Sequence, residues 1–343
     1  ACGLNLQRAE FIFELIAKFA GYGFNKCHAA PYALIAYQTA YMKANHPLEF
    51  MAATMSLDIN QVEKLALLRR DAIDFGCKIR PPDINRSQAD FSVADGEIRW
   101  GLAAIKNVGA KAMEEVVAER TAHGPFQDIF DFLARIGPPA LNKRSLETLA
   151  KAGAFDSIHP NRAQLVESAE MLIAFAARSV QERASQQVNM FGKGSKSEQP
   201  PRLAQAGAWP QLELLQREAE AVGFYLSGHP LDDYASILKR ARIIRYADLL
   251  RDVRRINRRV ELAGTIVRKQ ERRSQKNAQP FAFVEFTDPS GHFEAVIFAD
   301  LLRAHRELLE PGKSLVLTAD AEWEGEDVRL RVQALKSLDA VSS

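Results

Sequence analysis

Residues 257–343 hold five short runs of apolar alternation, and few folds accommodate them in the order in which they occur. Val260, Leu262 and Ile266 mark the first run, 281–286 is the second, and Asp288-Pro289-Ser290-Gly291 turns the chain into a third at 293–298. Asp300 is placed to cap a helix reaching Leu309, Pro311-Gly312 ends it, and 315–319 is the fourth run. In the fifth, Val328, Leu330 and Val332 alternate with Arg329, Arg331 and Gln333. Five strands with one helix between the third and fourth predict an oligonucleotide-binding barrel, the OB-fold. Between the first two strands, 269–280 reads as a long basic loop.

The rest of the chain is helical in pattern. Phe11, Leu15, Ile16 and Phe19 have helical spacing over 8–20, and a Gly21-Tyr22-Gly23 break follows. The helix at 29–43 is almost wholly apolar and is therefore expected to be buried, with Pro31 tolerated in its first turn. Helices follow over 47–56 and 60–75, Pro81-Pro82 marks a boundary, and 91–100 forms a hairpin turning at Asp95-Gly96. Short helices joined by glycine turns occupy 103–155, and helix continues over 157–187. The stretch 186–210 has the composition of a linker, 212–223 is helical, and a basic connector leads to the barrel. The expectation is a multidomain α+β chain with an all-α portion preceding a five-stranded barrel. Its units are 1–80, 81–185, a linker at 186–210, a connector at 211–256 and the barrel at 257–343.

Some classes are excluded by composition. No run of eighteen apolar residues exists, and no secretory leader pattern is present. Cys2, Cys27 and Cys77 provide neither a disulfide framework nor paired metal-ligand spacing, which suits a reducing cytoplasm without a zinc site. The chain opens on Ala1, so it is expected to be a piece of something longer.

Charge is unevenly spread. From Lys239 to Lys276 there are fourteen Lys or Arg against four Asp or Glu, a local field suited to nucleic acid as much as to a solvated surface. Arg268, Lys269, Arg272, Arg273 and Lys276 form its barrel end, with Phe281, Phe283, Phe293 and Phe298 nearby. Cationic grooves with aromatic platforms bind single strands by stacking, although alternation places half of these rings in a core. A second signal is Lys106-Asn107-Val108-Gly109-Ala110-Lys111 ahead of a helix. It resembles a helix-hairpin-helix, whose turn directs helix-start amides at a phosphate without reading sequence. Gly109 can supply a positive φ, and Asn107 tolerates one where glycine is usual. Without a ligand, the same turn is a plain helix connector. A degenerate second unit at 141–156, with Gly153 as a helix stop, reads better as packing. Third, Gln187 precedes Met190 and Phe191 inside a polar stretch. Two large apolar side chains with nothing local to bury them suit a partner's pocket. Finally, Lys26 and His28 sit just before the apolar helix, where phosphate oxygens are welcome, although such a pair is usually a capped loop.

Taken together, these motifs resemble, in order and over nearly the whole chain, the bacterial DNA polymerase III alpha subunit family of C-family replicative polymerases. The likeness is carried by Gly21 to Tyr41, Pro47 to Ala53, Pro81-Pro82-Asp83-Ile84-Asn85, Gly101 to Gly109 and Leu141-Asn142-Lys143-Arg144. It continues through Gly153-Ala154-Phe155-Asp156, Met190-Phe191-Gly192, Gly223 to Leu231 and 281–298. The resemblance implies that 1–80 is part of the polymerase fingers, with Lys26 and His28 facing the triphosphate of an incoming nucleotide. It implies that Lys106, Asn107, Val108, Gly109 and Lys111 hold duplex DNA, and that Gln187, Met190 and Phe191 bind the sliding clamp. Arg268, Lys269, Arg272, Arg273, Lys276 and Phe283 would then meet single-stranded DNA. The partners implied are DNA, a deoxynucleoside triphosphate, the clamp and other holoenzyme subunits. Cys27 replaces the family's usual serine and Pro31 its alanine. The family's metal-binding carboxylates lie in a palm domain, and no Asp-x-Asp pair between hydrophobic strand residues is present here. The chain is therefore expected to bind no cofactor and to carry no catalytic residue, with Mg2+ held in the palm of the parent nucleotidyltransferase. A non-enzymatic hairpin-plus-barrel DNA-binding module and the error-prone paralogue of the same family are the alternatives.

Overall fold

The computed structural model describes residues 5–20, 26–188, 200–252, 256–273, 279–325 and 327–338. It opens on helices α1 (Leu6–Ala20), α2 (Lys26–Asn45), α3 (Pro47–Leu57) and α4 (Val62–Asp74). Two expectations are corrected here. Helix α2 begins at Lys26, so Pro31 lies inside it rather than in its first turn, and the proline cannot donate to the preceding turn. Nor is α2 buried: Tyr32, Leu34, Ile35 and Tyr37 are each more than half exposed, and no residue of α1 is buried. Apolar composition shows that a face needs a cover but not that the same stretch of chain provides it. Burial begins in α3, where Met51, Ala52 and Met55 enter the core.

A small sheet follows. Strands β2 (Ser92–Ala94) and β3 (Glu97–Arg99) form the expected hairpin, with Asp95 and Gly96 both at positive φ in the turn. Strand β1 (Ile79–Arg80) pairs parallel to β3. Trp100, fully buried, receives Phe91 edge-on at 4.7 Å and Phe224 at 5.5 Å. This cluster joins the sheet to a distant part of the chain.

Helices α5 (Ala110–His123), α6 (Ile129–Arg135), α7 (Lys143–Lys151), α8 (Arg162–Glu167) and α9 (Ala169–Val188) complete the helical body around Phe126, Phe132 and Phe155. Their starts follow from local chemistry. Asp128 accepts from the amides of Phe130 and Asp131, and Asn161 accepts from that of Gln164. At α7, Asn142 and Ser145 form a reciprocal capping box. Residues 200–210, which had the composition of a linker, are instead laid along the body. Gln164 donates to the Ala204 carbonyl, Asn161 donates to that of Ala206, and the Ala204 amide donates to Ser168. Backbone groups that find acceptors on a surface do not need apolar neighbours to stay there.

Helix α10 (Gln211–Val222) ends at Gly223, whose φ of 110° is a left-handed helix stop. Inside α10, Glu218 is completely buried and accepts from the amides of Leu226 and Ser227 at 3.0 and 2.7 Å. Arg162 reaches it at 3.5 Å and also donates to Asp156 at 2.9 and 2.6 Å. Burial opposes the Arg162 cation, but Asp156 and Glu218 outweigh it and raise the pKa. Gly153, at φ 81°, must be glycine for a second reason: a Cβ there would lie 2.3 Å from the Arg162 guanidinium.

After α11 (Ala235–Arg240) and α12 (Tyr246–Leu250), strands β4 (Arg258–Arg273), β5 (Pro280–Asp288), β6 (Gly291–Ile297), β7 (Ser314–Glu324) and β8 (Asp327–Ser337) close a barrel. Their order is β4-β5-β6-β8-β7, and β4 pairs with both β5 and β7. Parallel pairing of Ala295 with Leu330 joins β6 to β8. With α13 (Ala299–Ala304) between β6 and β7, this is the OB-fold. A register shift at Ile266/Arg268 bends β4 so that it serves both halves, and Gly264 has no room for a side chain against Phe286 and Phe293. Two readings are corrected. The stretch 269–273 is strand rather than loop, and the helix before β7 is short, with Phe298 rather than Asp300 at its N-cap.

Replacing Arg162 by alanine leaves Glu218 buried without its cation. Chemical denaturation is expected to show a loss of about 3 kcal/mol or more, the usual cost of breaking a buried pair. An Arg162→Ala chain as stable as the parent would show that the network is not structural.

Candidate nucleic-acid interface

The hairpin turn is built from its buried ends. Ile105 is fully buried and Val108 packs against the same core, which fixes the turn and leaves Asn107 outside. Asn107 has φ 61°, the left-handed conformation anticipated for it, and the Val108 amide donates back to Ile105. Gly109 was expected to provide a positive φ as well, but it does not. It is the N-cap of α5, at φ −81° and ψ 136°, and a Cβ there would meet nothing within 4 Å. Neither conformation nor internal packing demands glycine at 109.

What glycine provides is the lack of a cap. Among α5 to α8, helices α6, α7 and α8 begin with an N-cap side chain that accepts at least one first-turn amide, and α5 does not. The first α5 amide to find a backbone acceptor is that of Met113, bonded to Gly109. Among the described residues, the amides of Gly109, Ala110, Lys111 and Ala112 have no protein acceptor. Gly109, Ala110 and Lys111 are exposed. Unpartnered donors at the positive end of a helix dipole form an anion site. At the second hairpin unit a capping box intervenes: Asn142 accepts from the Ser145 amide, and the Ser145 hydroxyl accepts from that of Asn142.

Both lysines are exposed, but their settings differ. Lys111 is exposed on the first turn of α5. Lys106 lies along Gly223, in the crevice between α10 and the barrel, and its amide donates to Ala221. Desolvation there lowers its pKa, partly offset by Glu220.

On the barrel, cations and rings sort by strand alternation. Arg268 and Arg272 share the outer face of β4–β5 with Phe281 and Phe283. The Arg272 guanidinium lies 5.3 Å from the Phe283 ring centre, and Phe281 meets Phe283 edge-on at 5.4 Å. Lys269 and Arg273 alternate to the other side, where Lys269 and Arg306 both pair with Glu271. Phe293 is core, stacked between Tyr246 and Phe286. Phe298 is half exposed beyond β6. Arg306 was missed because it follows α13, 35 positions from Glu271, and nothing local in its sequence marks the contact. Among the described residues no helix is long and apolar enough to cross a membrane.

Other candidates stay apart from these surfaces. His28 is exposed in the first turn of α2 with its ring edge-on to Tyr32 at 4.7 Å. Lys26 starts that helix. Gln187 lies in the last turn of α9, whereas Met190, Phe191 and Lys276 lie outside the described residues.

Comparison with known proteins gives the following likenesses. A family model described as a helix-hairpin-helix motif matches residues 76–165. DNA polymerase III subunit alpha of Caulobacter vibrioides is 48% identical over 323 residues, 94% of this chain and 28% of that protein. The Thermus aquaticus protein of the same name is 37% identical over 341 residues, 99% of this chain and 27% of that protein. Among solved structures, the SSB domain of a Synechococcus protein aligns with 23% of this chain and 93% of its own. Its identity is 20% and its TM-score 0.21. The chain thus spans little more than a quarter of the length of the relatives it matches. By sequence it is a relative of that segment of the DNA polymerase III alpha subunits, carrying a helix-hairpin-helix region and an OB-fold barrel in one polypeptide.

Proposed function

We propose that this chain is a DNA-gripping segment of a replicative DNA polymerase. The observation that carries the reading is the exposed start of α5, the one helix among α5 to α8 with no side chain accepting a first-turn amide. A phosphate seated there meets backbone donors and Lys111, contacts that position a duplex without reading its sequence. The barrel's outer face offers a different grip. Arg268 and Arg272 attract the backbone of a single strand, while Phe281 and Phe283 present rings for bases. Both grips act on phosphates, so affinity falls steeply as salt rises.

In the same reading, Lys26 and His28 meet the triphosphate of the incoming nucleotide at the start of α2. Gln187, Met190 and Phe191 form the peptide that holds the sliding clamp. The two-metal chemistry of phosphoryl transfer needs converging carboxylates. The family resemblance implies that Mg2+ is held by carboxylates in the palm of the parent polymerase.

The α5 grip is tested by Gly109→Asp. The side chain fits, because nothing lies near the added atoms, and its carboxylate caps the amides while repelling phosphate. The melting temperature is expected to hold or rise, while duplex affinity falls by about tenfold or more. Unchanged duplex affinity in the folded variant removes α5 from the interface. The clamp peptide is tested separately by Met190→Ala with Phe191→Ala. Clamp binding by surface plasmon resonance is expected to vanish with DNA affinity intact, and retained clamp binding contradicts the assignment.

A further inference from the structure

A second set of unsatisfied donors lies between the helical body and the barrel, apart from both DNA-facing surfaces. A cavity of about 100 Å³ separates α4 and the 224–232 segment from the β5–β6 turn. Arg69, Arg70, His229, Ser290, Gly291 and His292 are among its lining residues. Two N–H groups there are buried and partnerless: Nε of Arg69 and Nε2 of His229. His229 is only 7% exposed. Its Nδ1 accepts from the Leu231 amide at 3.1 Å, so its proton sits on Nε2, making that nitrogen a donor. Burial, then His292 and Arg69, push the His229 pKa down to about 3, so the ring is neutral. The Thr287 backbone lies close enough to favour the protonated ring slightly, but no well-aligned hydrogen bond to Nε2 forms. One terminal nitrogen of Arg69 donates to the Leu226 carbonyl at 2.8 Å, leaving Nε unused.

The acids lining the same cavity are already engaged. Asp232 accepts from the His229 amide at 2.7 Å. Asp288 accepts from the Tyr246 amide at 2.7 Å and from the amide and hydroxyl of Ser290 at 2.7 and 2.6 Å. These bonds use both oxygens of Asp288 and one of Asp232, whose charge also acts on Arg69, while the buried side-chain groups of the cleft left without a partner are the two donors. Buried donors without acceptors are rare in native proteins and point to a missing partner rich in oxygen.

We propose that this cleft is a phosphate-binding site, in which Arg69 Nε and His229 Nε2 each donate to one phosphate group, with Arg70 and His292 at its rim. A phosphate held there touches α4, the 224–232 segment and the β5–β6 turn together, fixing the barrel against the helical body. The group comes either from free phosphate or from the 5′ end of a strand, and the chemistry of recognition is the same. The proposal does not depend on the α5 grip.

The test is calorimetric titration of the 343-residue chain with inorganic phosphate at constant ionic strength, with chloride as the control. One saturable site is expected. Arg70→Gln and His292→Gln, rim changes that leave the buried bonds in place, are expected to weaken it by about fivefold. Arg69→Lys, which keeps charge but loses the Nε–H, is expected to abolish it in a chain with an unchanged circular dichroism spectrum. Competition by a 5′-phosphorylated oligonucleotide, but not by its 5′-hydroxyl twin, assigns the phosphate to a strand end; its failure to compete assigns the site to free phosphate. No saturable phosphate binding above chloride, or affinity unchanged in both rim variants, overturns the proposal.

Discussion

Glu218 holds together parts of the chain that have little else in common. Its carboxylate, buried in α10, accepts from two backbone amides of the 224–231 segment and from Arg162, which also grips Asp156 at the end of the second hairpin. A buried carboxylate without donors is costly enough to be expelled, so the amides, Arg162 and Glu218 stand or fall together. The 224–231 segment so anchored carries Phe224 onto Trp100 and His229 toward the barrel. The orientation of the hairpin region and the platform beneath the barrel therefore share one ionic cluster.

With that platform fixed, the two surfaces proposed to grip DNA differ in kind. Helix α5 presents backbone, which cannot be lost by side-chain motion and carries no base preference. The barrel presents arginines and rings on β4 and β5, which move and stack. Gly109 is the more economical device: by omitting a cap, it leaves several donors for a ligand at no cost in side-chain entropy.

Much of this was legible in the sequence. The barrel was readable from alternation and from the position of its helix, because inward residues such as Leu262, Val284, Phe286, Ala295 and Leu317 must be apolar. The far end of β4 was not, since 270–273 runs beyond the barrel core, is exposed and carries charge on both faces. Asn107 was identified by its tolerance of left-handed backbone. Gly109 was given the wrong reason, because a glycine chosen for what it omits has the same letter as one chosen for its φ. The Arg162–Glu218 pair spans 56 positions and leaves no local pattern. Helices α1 and α2 advertised their apolar faces plainly, but the sequence does not say what should cover them.

The central claim is that the first amides of α5 hold a phosphate, and hydrogen–deuterium exchange at those amides measures it directly. With duplex DNA bound, exchange at Gly109, Ala110, Lys111 and Ala112 is expected to slow, while the capped Ser145 amide of α7 exchanges as before. Unchanged exchange at 109–112 in a saturated complex would contradict the account.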